Sequence, residues 1–120
     1  MITADELKDF RYLPMEIQQI DNAVYELKTY PPLSMSPGQK REYTHSVVEL
    51  IGSYVDRKKN CIAQLEKLMA FMNDIEDSFI FDLFQLRYEQ GEDWKMIDRM
   101  YCYADGTTRQ ICRRYLERCN

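Results

Sequence analysis

Between residues 40 and 73, apolar side chains recur at Val48, Ile51, Val55, Ile62, Leu65, Met69 and Met72 in alternating steps of three and four, and Lys58 is the one interruption. That spacing predicts an amphipathic helix. Val47, Tyr54, Cys61 and Leu68, each one position earlier, are apolar too. The stripe is therefore wider than a two-stranded seam. A helix of about 34 residues, rising about 1.5 Å per residue, is about 50 Å long. It outruns any compact core that 120 residues can build. Something must lie along it.

Residues 5–29 can do so. Leu7, Phe10, Leu13, Ile17, Ile20, Val24 and Leu27 also follow steps of three and four. This segment can fold back on 40–73 as a hairpin, and a second subunit can cover what remains. Pro14 lies inside the pattern. It either kinks the helix or starts a second one at its first turn. The clear loop is YPPLSMSPGQ, residues 30–39, which holds three of the four prolines. The run DRKK, 56–59, reads as a solvated helix face.

After residue 74 the elements shorten. Phe79, Ile80, Leu83, Phe84 and Leu86–Arg87–Tyr88 predict a helix that Gly91 closes as a C-cap. Asp93 can cap a second helix with Trp94, Ile97 and Tyr101 inward. After a break at Cys102–Tyr103–Ala104, Asp105 can cap a third, residues 107–119. Its inward face is Thr108, Ile111, Cys112, Tyr115, Leu116 and Cys119. The predicted fold is all-α: an N-terminal long-helix hairpin over 1–74, which doubles as an oligomerisation arm, then a three-helix module over 75–120 with a helix-turn-helix pattern.

The outward residues of the last helix are Thr107, Arg109, Gln110, Arg113, Arg114, Glu117 and Arg118. Arginine can hold guanine O6 and N7, and glutamine adenine N6 and N7, with paired hydrogen bonds. Thr107, near the helix start, suits a phosphate oxygen. Lys95 and Arg99 on the preceding helix are candidates for further phosphate contacts. The chain carries a net charge of -4, yet positive charge is segregated. Residues 1–74 are net -2 and 75–93 net -5, whereas 94–120 hold six basic against three acidic residues, net +3. Phosphate attraction acts over about 8–10 Å, so the local excess is what counts. Two other readings of the basic face stay open: a protein-contact surface, and arginines that merely favour a helix C-terminus.

Other chemistry finds little footing. No CxxC or HxxxH pair marks a zinc site. The four cysteines (Cys61, Cys102, Cys112, Cys119) read as reduced, buried apolar residues, Cys112 and Cys119 sharing a helix face. His45 has no triad partners, and no inward Glu or His pairs mark a bundle cofactor. Neither an enzyme nor a cofactor is expected. No apolar run nears the ~18–20 residues of a membrane span, and MITADELKDF lacks the features of a signal peptide. A cytoplasmic location is expected, with no membrane contact.

The stretch LRYEQGEDWKMIDRMYCYADGTTRQICRRYL, 86–116, resembles the C-terminal part of phage and prophage transcriptional regulators of the RinA/ArpU-like group, themselves similar to region four of the sigma-70 family. Arg87–Tyr88, Gly91, Trp94, Ile97, Tyr103, Thr107, Arg109, Arg113, Arg114 and Leu116 match that pattern. Asp93 replaces a serine, Cys102 the turn glycine, Ala104 a capping serine, Thr108 a core valine and Tyr115 a small alanine. The N-terminal half is similar more loosely. The resemblance implies a sequence-specific DNA-binding regulator, phage-encoded and acting on late genes in a bacterial host. Its partners would be double-stranded DNA, a second copy in a homodimer and the host RNA polymerase. Two rivals stand beside it: a DNA-packaging subunit like a small terminase, and a polymerase- or sigma-contacting protein that binds no DNA.

Overall fold

A computed structural model describes residues 1–29 and 36–120. Residues 30–35, most of the expected proline-rich loop, lie outside the described residues. Among those described, the chain is all-helical, with no strand.

Helix α1 spans Ala4–Lys8, capped by Thr3, whose hydroxyl accepts the Glu6 N–H at 3.2 Å. The chain turns over residues 9–12 and enters α2, Leu13–Thr29. Pro14 thus marks a second start. In the first turn its missing N–H costs nothing, whereas a continuous helix would need that N–H to donate to Phe10. Helix α3, Pro37–Asn73, opens with a reciprocal cap. Ser36 Oγ accepts from the Gln39 N–H at 3.2 Å, and Gln39 Oε1 accepts from the Ser36 N–H at 3.0 Å.

The first two helices lie along α3 and run counter to it. Glu6 meets Lys67 at 2.9 Å, Glu16 meets Arg57 at 2.7 Å and Asp21 meets Lys58 at 2.6 Å. Part of DRKK is therefore an inter-helix clasp and not a wholly solvated face. Such partly exposed pairs contribute little. Burial of Leu7, Phe10, Leu13 and Ile20 in one core with Cys61, Leu68 and Met72 stabilises the hairpin far more.

The buried line along α3 is rotated from the expected one. Cys61, Leu68 and Met72 are buried, and Val47, Ile51, Tyr54, Lys58 and Leu65 are half-buried. The neighbouring column faces outward, from Val48 at 62% exposure through Val55 and Ile62 to Met69 at 50%. The apolar stripe is wider than the arc that α2 covers, so one edge stays bare.

Helix α4, Ser78–Phe84, is capped by Asp77, whose carboxylate accepts the Phe79 and Ile80 N–H groups at 2.9 and 3.2 Å. It runs into a π-helical turn, Gln85–Glu89, where the Gln90 N–H reaches back to the Gln85 carbonyl at 3.0 Å. Gly91 then ends the element at φ +75°, as a C-cap glycine should. Helices α5, Trp94–Met100, and α6, Thr107–Cys119, complete the chain. Phe84 sits at the centre of their core. Its ring centroid is 5.6 Å from Phe71 of α3, 5.7 Å from Tyr88 and 5.7 Å from Tyr115 of α6. The molecule is a rod, 68 × 27 × 18 Å, with α4–α6 gathered at the C-terminal end of α3. Among the described residues no helix is long and apolar enough to cross a membrane.

Candidate nucleic-acid interface

The geometry between α5 and α6 is set by one carboxylate. Asp98, in the last turns of α5, has 0% exposure. Its Oδ1 accepts the Thr108 N–H at 2.8 Å and the Thr108 hydroxyl at 2.7 Å, and its Oδ2 accepts the Gly106 N–H at 2.9 Å. Burial disfavours the charged form, but these three hydrogen bonds outweigh it and hold the carboxyl below its ordinary pKa. Asp98 therefore does for α6 what a capping side chain does, reaching across from another helix. The expected cap, Asp105, is displaced. The N-cap position falls on Gly106, at φ +90°, which has no side chain to offer. Asp93 does hold the N-cap position of α5, though its carboxylate makes no capping hydrogen bond. Asp98 was legible in part, since Trp94, Ile97, Asp98 and Tyr101 share one face at steps of 3, 1 and 3.

The connecting turn is braced by aromatic rings. Phe79 of α4 meets Tyr101 edge-on at 5.3 Å, and Tyr101 stacks on Tyr103 at 6.2 Å. The Tyr103 N–H donates to the Asp98 carbonyl at 2.8 Å. Cys102 sits between them at φ +58°.

Helix α6 turns Thr108, Cys112 and Leu116 inward, with Ile111 and Tyr115 half-buried against the same core. Burial pushes the Cys112 thiol up to about 12. Two cysteines depart from expectation: Cys102 and Cys119 are exposed, while Cys61 and Cys112 are buried. Cys119 lies in the last turn of α6, beyond the elements that would cover it.

On the opposite side Arg109, Arg113, Arg114 and Arg118 are all exposed, and Thr107 and Gln110 are half-buried. At about 100° per residue these arginines form two columns. Arg109 and Arg113 edge one side, Arg114 and Arg118 the other, with Gln110 and Glu117 between them. Among the described residues only Arg113 meets a carboxylate, Glu117 at 3.8 Å, both about two-thirds exposed. That loose pair contributes little. Arg118 leans over the Tyr115 ring, 5.7 Å from its centroid. Lys95 and Arg99 are exposed one turn apart on α5, with no carboxylate in reach among the described residues. Among the described residues no group of His, Cys, Asp or Glu is placed to hold a metal ion.

No protein family, curated protein or solved structure matches this chain.

Proposed function

We propose that the chain is a DNA-binding transcriptional regulator whose α5, turn and α6 act as a helix-turn-helix. In this reading α6 enters the major groove. Arg109, Gln110 and Arg113 face base edges there, and Thr107, Arg114, Lys95 and Arg99 reach phosphates, with Arg118 at the margin of the contact. The observation that carries it is the state of the α6 arginines. They are exposed, and among the described residues only Arg113 makes an ion pair, while the opposite face of the same helix is locked into the core. Exposed, unpaired guanidinium groups on a rigid helix keep their donors available to an external anion.

The α2–α3 arm supplies the second element of the proposal. Val48, Val55, Ile62 and Met69 lie bare at seven-residue intervals, one side of the helix apart from α2. Two copies meeting along that column would form a homodimer and present two α6 helices to one duplex, multiplying a modest single-site affinity. The late-gene, phage-encoded setting and contact with host polymerase follow the resemblance of residues 86–116.

The test is duplex binding against salt. Log K is expected to fall linearly with log salt as about four to six phosphates are neutralised, each adding ~0.9 to the slope. Arg113→Ala is expected to lose ~1–3 kcal/mol on some sequences and little on others, the mark of base reading. A duplex affinity that is absent or indifferent to salt sinks the proposal and moves the basic face to a protein partner.

A further inference from the structure

We propose that the notch between the α1–α2 corner and the end of the π-helical turn is a phosphate-binding site, built from Lys8, Arg11 and Arg87 around Gly91. The notch is about 270 Å³ and is lined by Lys8, Arg11, Tyr12, Arg87, Tyr88 and Gly91. Three cations and two phenols face it, and no carboxylate lines it. Among the described residues neither Arg11 nor Arg87 pairs with a carboxylate; Lys8 meets only Asp5, at 3.3 Å, both well exposed.

The two guanidinium groups are held by means other than salt bridges. Arg87 Nη1 donates to the Glu92 carbonyl at 3.0 Å, and its guanidinium lies 5.2 Å from the Trp94 ring centroid. Arg11 donates to the Tyr12 hydroxyl and lies 4.6 Å from that ring's centroid. These contacts leave the remaining N–H groups of both without a carboxylate partner among the described residues. Gly91 completes the seat. Its φ of +75° disfavours a side chain, and a Cβ there would overlap the Arg11 guanidinium. The bare Cα is thus what lets Arg11 lie across the end of the π-helical turn.

A pair of guanidinium forks with one ammonium suits a tetrahedral, multiply charged oxyanion better than a single carboxylate. Tyr88, nearly buried, adds a hydroxyl. Burial, with Cys112 and Asp5 nearby, raises its pKa against the charges of Arg87 and Arg109, so at neutral pH it remains a donor. The phosphate group can come from the backbone of a duplex docked on α6, which rests on the reading above, or from a free phosphate compound, which does not.

One experiment separates these. Amide shifts of the full chain are followed as sodium phosphate replaces sodium chloride at constant ionic strength. Saturable shifts are expected at Gly91, Arg11 and Arg87, and their loss in Arg11→Gln. Arg11 is exposed, so helix content by circular dichroism should be unchanged and the loss attributable to the site. Absence of saturable shifts in the unmodified chain, or their persistence at full size in Arg11→Gln, overturns the proposal. Duplex titrations then name the source. A salt slope lower by about 1 in Arg11→Gln, one phosphate at ~0.9, assigns the notch to the DNA backbone. An unchanged slope beside saturable phosphate shifts assigns it to a free phosphate compound. A chain that binds phosphate and no duplex removes the DNA reading alone.

Discussion

Replacing Asp98 by Asn keeps the shape of the clasp between α5 and α6 and removes its charge. One Asn orientation keeps an oxygen toward Thr108 but turns its NH2 against the Gly106 N–H, which then loses its acceptor. An orphaned buried donor costs about 1–3 kcal/mol, and the two bonds that remain lose their charge assistance at about 0.5–1.5 kcal/mol each. These costs are not additive, and about 2–4 kcal/mol is the expected total. That is a large part of the ~5–15 kcal/mol by which a small domain is stable. With a urea slope of about 1.5 kcal/mol per molar, the midpoint should fall by roughly 1.3–2.7 M. Acid unfolding supplies a second readout. The folded pKa of Asp98 is lowered, so its contribution is present above the unfolded value of about 3.9 and is lost as pH falls through the lower folded value. In Asp98→Asn that part of the acid sensitivity should vanish. A midpoint within about 0.3 M of the unmodified chain, with the acid limb unchanged, would refute the assignment of Asp98 as the α6 cap.

Two further predictions concern the turn and the thiols. Cys102→Gly should stabilise the chain by about 0.5–1 kcal/mol in urea unfolding, because the left-handed backbone at φ +58° costs a residue with a side chain about 1–2 kcal/mol and glycine gives part of that back in entropy; a destabilised variant contradicts this. In the native protein a thiol reagent should label Cys102 and Cys119 quickly, and Cys61 and Cys112 only on unfolding, so a first phase of two equivalents is expected.

The helices were legible because their apolar spacing is strong. Pro14 offered two outcomes, and the backbone donor count decides between them. Which edge of the wide α3 stripe is covered was not legible. Val47 and Val48 are equally apolar, and only the placement of α2 decides which column is covered. The exposed α6 arginines followed from the inward set Thr108, Cys112 and Leu116, which periodicity alone supplies. The phosphate notch was invisible for a different reason. Arg11 and Gly91 are far apart in sequence and meet only through tertiary packing, and the π-helical turn that presents Arg87 and Tyr88 leaves no periodic signature.

The surroundings of α6 differ from one end to the other, and this bears on which arginine matters. Its N-terminal half carries the positive end of the helix dipole, which favours an anion. Its C-terminal end lines a cleft with Asp74, Glu76 and Asp77, where Arg118 and Tyr115 form the other wall. Three carboxylates share that cleft with Arg118, and charge acts over ~8–10 Å in physiological salt. They attract the guanidinium and repel a phosphate approaching it. Arg109 faces no such opposition. Arg109→Ala should therefore weaken duplex binding about tenfold, or ~1.4 kcal/mol, while Arg118→Ala should leave it within about twofold. Fluorescence anisotropy on one duplex at fixed salt measures both. If Arg118 proves the costlier loss, the duplex lies across the C-terminal end of α6, and the N-terminal docking cannot hold.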